Sequence, residues 1–364
     1  MVTHMENIEN EDKLVLLARK LKQQKETKKD YVVSSEDIQS EYDVGEQKLK
    51  LSIPLPDTGI RRSFELTDYA HDQVSAKTGI PKSFYQRLKE QYPELLVNNI
   101  NELIRERDKR LVRTLDGKAR ALLSDRYRII DNYDVLFNAM DRFNYLNSER
   151  QMRIDIMRAD LTEKKLYVKA ISPTLKDEIF PDKATRVGEP VNGGIIITNS
   201  EVGAGAYKVM PFMNVLSCTN GMISEKTFSR VHLGKARGVG AIDWSDETLQ
   251  LEDKALWSKI RDMIDQTFSV EVFRKWVDQI NKVASTEITK PIVAVNNVVK
   301  EYEISKDKVE MLLHQFSKEG HTQWGLAQSV TRVAQEETNY DKRIEMEKAG
   351  AKILEKKIME LESS

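Results

Sequence analysis

An α+β fold is predicted for this chain: a mixed, β-rich core containing a β-β-β-α segment, followed by a mostly helical C-terminal region. Three observations carry the prediction. Short runs between residues 47 and 233 alternate apolar with polar side chains, the period of half-buried strands. Gly, Pro and Asp-Gly pairs punctuate the same stretch as turns. After Gly240, apolar residues recur at helical spacing within segments rich in Lys and Glu.

Taken in order, residues 8–29 read as an amphipathic helix with Leu14, Leu16, Leu17 and Leu21 on its apolar face. Residues 34–37 form a cap or turn, and the polar stretch 41–46 is a flexible boundary. The expected organisation is therefore an N-terminal helical extension over 1–46, an α+β core over 47–240 and a helical region over 241–364. Within 47–55, Leu49, Leu51 and Ile53 face one way while Lys48, Lys50 and Ser52 face the other, so one side of this strand is wet. Residues 61–66 are its hairpin partner across Asp57-Thr58-Gly59. Thr67 caps a helix that breaks near Thr78-Gly79-Ile80-Pro81, and 82–110 hold two short helices split at Pro93. Residues 111–115 and 118–123 flank Asp116-Gly117 in the clearest hairpin of the chain. A third strand over 127–130 and a helix from Asp131 or Asn132 to about Phe143 complete the β-β-β-α segment. Further strands are expected at 152–159, 164–171, 194–199, 207–216 and 227–233. Helices are expected over 246–282, 305–318, 322–338 and 340–361, the last packing Ile344, Met346, Ala349, Ile353, Ile358 and Leu361 on a partner or on the core.

Composition narrows the function. At 364 residues the chain exceeds one ordinary domain of about 100–200. Its 40% hydrophobic residues permit a real core, and its 32% charged residues imply a heavily solvated surface. No apolar run approaches the roughly 18 residues of a membrane span. The N-terminus also lacks the basic and apolar regions of a signal peptide. The single cysteine, Cys218, excludes an intrachain disulfide and fits a reducing compartment. A net charge of −1 leaves no whole-protein field for polyanions, so nucleic-acid binding would need local clusters.

Catalytic motifs fail on spacing. Gly203-Ala-Gly205 and Gly238-Val-Gly240 lack the third glycine of a dinucleotide-binding loop, and Gly234-Lys235 is not a Walker loop. The five histidines stand apart from second ligands, and Cys218 reads as a small buried hydrophobe. Asp155, Asp160 and Glu163 could hold Mg²⁺ for phosphodiester cleavage, against the plainer reading of a solvated turn. The chain is accordingly expected to be a binding protein, not an enzyme, with no cofactor.

Two basic clusters stand out. From Arg105 to Arg128, nine positive residues face four negative ones, a local excess of +5. Arg113, Lys118, Arg120, Arg126 and Arg128 are expected to contact phosphates, with Tyr127 stacking a base. The alternative is that strand arginines pair with acids elsewhere and that Tyr127 is core. Lys226, Arg230, His232, Lys235 and Arg237 form a second strip free of acids.

Several stretches carry a family resemblance: Leu66-Thr-Asp-Tyr-Ala70 with Thr78-Gly-Ile-Pro81 and Tyr85, Ala121-Leu-Leu-Ser-Asp-Arg-Tyr-Arg128, Asn199-Ser-Glu-Val-Gly203 and Ser217-Cys-Thr-Asn-Gly-Met222. Arg230, His232-Leu-Gly234, Thr322-Gln-Trp-Gly325, Gln328, Val330-Thr331, Tyr340-Asp341 and Ala349-Gly350 continue the pattern. Together, over roughly 60–355, they resemble a phage- and plasmid-borne family catalogued as a domain of unknown function (number nine-three-two). More distantly, the β-β-β-α segment looks like that of single-strand annealing proteins of the recombination-mediator type. The resemblance implies single-stranded DNA binding, annealing during recombination and a homo-oligomer. The rival expectation is a phage product that binds a host protein through its charged helices.

Overall fold

The computed structural model describes residues 2–56, 58–105, 108–182, 187–216, 221–224 and 246–363. Helix α1 (Val2–Thr27) precedes four strands, β1 (Lys29–Ser34), β2 (Gln39–Asp43), β3 (Lys48–Pro54) and β4 (Arg61–Leu66). Helices α2 (Asp68–Thr78), α3 (Lys82–Gln91) and α4 (Pro93–Leu103) lead to the hairpin of β5 (Lys109–Leu115) and β6 (Lys118–Ser124). Local chemistry sets these boundaries. The Thr67 side chain accepts from Ala70 N to start α2, Gly79 ends it at φ 68°, and Pro93 opens α4. Asp116 and Gly117 both take positive φ, 48° and 77°, as a two-residue turn between twisted strands requires.

The six strands form one sheet, ordered β1-β5-β6-β4-β3-β2. Leu49, Leu51, Ile53, Phe64 and Leu66 bury on the face covered by α2, α3 and α4, against Val74, Tyr85, Leu88, Leu96 and Ile100. On the opposite face Lys48 pairs with Glu65 and Lys50 with Asp43. One edge strand, β2, is blunted by one side chain: Asn101 of α4 accepts from Ser40 N at 2.6 Å and donates to Ser40 O at 3.0 Å.

Helix α5 (Asn132–Glu149) leads into a second, antiparallel sheet. Its strands are β7 (Asp155–Leu161), β8 (Leu166–Ile179), β9 (Glu189–Asn199), β10 (Lys208–Val215) and β11 (Gly221–Ile223), neighbours in chain order. Then come α6 (Asp246–Thr267), α7 (Val270–Val283), α8 (Pro291–Glu301), α9 (Val309–Glu319), α10 (Gln323–Val333), α11 (Tyr340–Ile353) and α12 (Ile358–Leu361). Ile195 and Ile197 of β9 join the main core with α5, α6, α7 and α10, while Ile196 faces Tyr167, Met210, Phe212 and Ile344 of α11. With both faces covered, β9 reads as a continuous apolar run. Gly194 permits the close approach of β8, since a Cβ there would sit 2.3 Å from Ala170 O.

The α+β class, the helical C-terminal region and most boundaries match the sequence expectation. Three features differ. The third strand beside the β5–β6 hairpin is β1, not 127–130. After β6 the chain turns, with Tyr127 N bonded to Ser124 O, so residues 127–130 join no ladder. The boundary expected at 41–46 falls on the end of β2 and the turn of the β2–β3 hairpin: Glu41 and Asp43 stand opposite Lys50 and Lys48 in the ladder. Helix α8 was missed because its Val- and Ala-rich run resembles a strand. The last helices pack on the core, burying Ile344, Met346, Ala349, Ile353 and Leu361. The strand expected at 227–233 and Cys218 lie outside the described residues. Among the described residues, no helix is long and apolar enough to cross a membrane.

Candidate anion-binding site between the two sheets

One loop sews the sheets together. It leaves β9 at Asn199, the last strand residue, and runs through Ser200, Glu201 and Val202, all four buried. Tyr127 Oη donates to Ser200 O, Gln73 Nε2 to Val202 O at 2.7 Å, and Asn199 Nδ2 to Ile130 O at 2.9 Å. Glu201 is the hub. Its Oε1 accepts from Lys28 Nζ at 2.7 Å and from Asn132 N, the first amide of α5, at 2.6 Å. Its Oε2 accepts from Arg120 Nη1. A carboxylate at a helix N-terminus is favoured by the helix dipole.

Two arginines of the β5–β6 hairpin meet this hub differently. Arg113 is fully buried, and both oxygens of Asp30 fill its Nε–Nη2 edge at 2.8 and 3.0 Å. Asp131 accepts from Nη2 as well, at 3.1 Å, and the Glu201 carbonyl accepts from Nη1, at 2.9 Å. Burial works against the Arg113 charge, but the Asp30 hydrogen bond and nearby acids outweigh it and raise its pKa. Burial also pushes the Asp131 carboxyl up, while Lys28 and Arg113 more than reverse this and hold it below its usual range.

Arg120 sits at a register shift. Arg113 pairs with Ala121 and Thr114 with Ala119, so Arg120 is the extra residue of a β-bulge. The bulge places it beside Glu201, 8% exposed, with Nε and Nη2 lacking any partner. A buried donor left unpaired costs about 1–3 kcal/mol, and this fork has two.

Arg120 lines a pocket of 330 Å³ between the sheets. The other walls are Lys20 and Gln24 of α1, Thr67, Lys118, Asn132, the β7–β8 turn through Thr162, Glu163, Lys164 and Lys165, and Glu201 with Val202. Five cations face three acids, Asp116, Glu163 and Glu201. All three acids already accept hydrogen bonds: Asp116 from Thr27, Glu163 from Tyr69 N, Glu201 as above. Among the described residues Lys20, Lys164 and Lys165 make no ion pair, although Lys164 lies 5.2 Å over the Tyr69 ring. Burial, with nearby Lys348, lowers the Lys165 pKa.

The expected stripe is thus redistributed. Lys118, exposed and 3.2 Å from Glu65, shares the pocket with Arg120. Arg113 is spent on Asp30 and Asp131, correcting its expected phosphate role, because no edge of it reaches solvent. Tyr127 packs against Leu111, Ala121, Leu123 and Val202, which corrects its role as a stacking base platform. Arg126 is exposed in the turn that follows β6, at the opposite end of that strand from Lys118. Arg128 beside it pairs with Glu252 and Asp253 of α6. Lys226, Arg230, His232, Lys235 and Arg237 lie outside the described residues. The Mg²⁺ trio does not assemble: Asp155 pairs with Arg153, Asp160 with Arg158, and Glu163 caps α2 through Tyr69 N. No group of three His, Cys, Asp or Glu able to hold a metal occurs among the described residues. Sequence reasoning missed Lys20, Lys164, Lys165 and Glu201 as neighbours, although Glu163-Lys164-Lys165 and Asn199-Ser-Glu-Val-Gly203 were visible as motifs.

No family model, curated protein or solved structure matches this chain, so its site stands on its own geometry.

Proposed function

We propose that the chain binds single-stranded nucleic acid, DNA or RNA, and takes its phosphates at the pocket between the two sheets. The supporting observation is Arg120, with two buried N–H groups unpartnered in a pocket rimmed by Lys20, Lys118 and Lys164. Lysine and arginine contacts to phosphate supply most sequence-independent affinity, and such affinity falls steeply with salt. On this reading Lys118 and Arg120 keep their expected roles, Lys20, Lys164 and Lys165 join them, and Arg113 and Tyr127 hold the scaffold. Annealing during phage or plasmid recombination, by a homo-oligomer in the bacterial cytoplasm, is the activity the family resemblance implies.

Titration of the full chain with fluorescent dT and U oligonucleotides at two salt concentrations tests this. Anisotropy should rise with affinity that drops as salt increases. Lys118→Glu combined with Lys164→Glu should weaken binding about tenfold or more and flatten the salt dependence by about two phosphates. Unchanged affinity in that pair, or no binding of either strand at low salt, would remove the proposal.

A further inference from the structure

A guanidinium's Nε–Nη2 edge offers two parallel N–H groups matched to two oxygens of one oxyanion. In Arg113 an internal carboxylate, Asp30, fills that edge. In Arg120 the same edge is empty, because Glu201 takes only Nη1. The β-bulge that sets Arg120 apart from the ladder leaves it lining the pocket. Lys20, Lys164 and Lys165 border the same space without ion pairs among the described residues. The first residue of α5, Asn132, and the N-cap of α2, Thr67, border it too, but Glu201 and Glu163 already accept from the first turns of those two helices, so the seat rests on the fork and the lysines.

We propose that this fork is the seat of a single phosphomonoester, supplied by the end of a nucleic-acid strand or by a free nucleotide. The inference rests on reading the pocket as a phosphate-facing surface. A carboxylate would use the fork alone, whereas a dianionic phosphate also engages the unpaired lysines. A terminal phosphate enters with one ester arm, which suits a deep-set arginine. An internal phosphodiester must lead two arms back out.

Calorimetry on the full chain with inorganic phosphate and with dTMP provides the first test. Anisotropy with dT oligonucleotides carrying a 5′-phosphate, a 3′-phosphate or neither provides the second. Phosphate-bearing probes should bind, and Arg120→Lys, which keeps the charge beside Glu201 but removes the fork, should weaken them about tenfold or more. Should Arg120→Lys fail to fold by circular dichroism, Lys164→Gln, on a turn and without an ion pair among the described residues, carries the test with a smaller loss in the same direction. Preference for one phosphorylated end identifies a strand terminus as the source, and dTMP binding without such a preference identifies a free nucleotide. The seat is overturned if no phosphate probe binds the unaltered chain, or if the variants bind unchanged. Oligonucleotide binding indifferent to terminal phosphate, with no inorganic phosphate bound, removes the seat and leaves the nucleic-acid reading standing. Phosphate binding without oligonucleotide binding does the reverse.

Discussion

Arg113 presents its Nε–Nη2 edge to both carboxylate oxygens of Asp30, at 2.8 and 3.0 Å, and so ties β5 to β1 from inside the protein. Asp131 and the Glu201 carbonyl complete the shell, which links the first sheet to α5 and to the loop after β9. Breaking a buried pair by removing one partner strands the other charge. Arg113→Met should therefore lower unfolding free energy by about 3–5 kcal/mol in urea titrations. A loss below about 1 kcal/mol would mean the network relaxes around the gap.

The same network makes an acid-side prediction. The Asp131 carboxyl is held below its ordinary value in the fold, so the unfolded chain binds its proton first as pH falls. Its contribution is complete above the ordinary carboxylate range and is lost as pH drops through the folded pKa. In Asp131→Asn, stability should vary less with pH below about 4 than in the unaltered chain. Equal slopes would exclude Asp131 from the acid response.

His71 titrates in a higher window. Burial, together with Lys89, lowers its pKa from 6.5 to about 4, and Tyr85 shares a 3.0 Å hydrogen bond with its Nδ1. The folded state keeps His71 neutral where the unfolded state protonates it. Stability is therefore full above pH 6.5 and is lost between pH 6.5 and 4, by at most about 3 kcal/mol. Denaturation measured across this window should show the slope, and His71→Gln should flatten it. A variant with an undiminished slope would point to other groups.

Lys169 of β8 and Glu347 of α11 form a buried ion pair at 2.6 Å that fastens the second sheet to the C-terminal helices. Burial lowers the Lys169 pKa against the opposing pull of Glu347. Glu347→Leu alone should cost about 3–5 kcal/mol, whereas Lys169→Met with Glu347→Leu should recover most of it. A double variant as unstable as the single one would show that the charges themselves specify the packing.

Asn101 replaces a neighbouring strand for Ser40. Asn101→Leu should destabilise by about 1–2 kcal/mol and speed exchange of the Ser40 amide. An amide still protected in the variant would assign its protection to another group.

Hairpins and capped helices were legible because their determinants are local. Asp116-Gly117, Thr67 with Gly79, and the alternation of Leu49, Leu51 and Ile53 each act within a few residues. Strand β1 was not legible, since its six residues follow directly on a helix and gain their identity only from pairing with β5. The candidate site was half legible: Lys118 and Arg120 were on the expected stripe, but Lys20, Lys164 and Lys165 come from distant elements.

By itself the sequence determined an α+β chain with a helical C-terminal region, the hairpins, and the concentration of arginines around β5 and β6. Only the tertiary structure decided which arginine is structural. Arg113 and Arg120 are both strand arginines seven positions apart, with no local difference in chemistry. Their fates diverge because Asp30, 83 residues from Arg113, pairs across β1 with one fork, while a bulge and Glu201, 81 residues from Arg120, leave the other fork unpaired. Ion pairing acts through space at a few ångströms, and chain separation carries no trace of it.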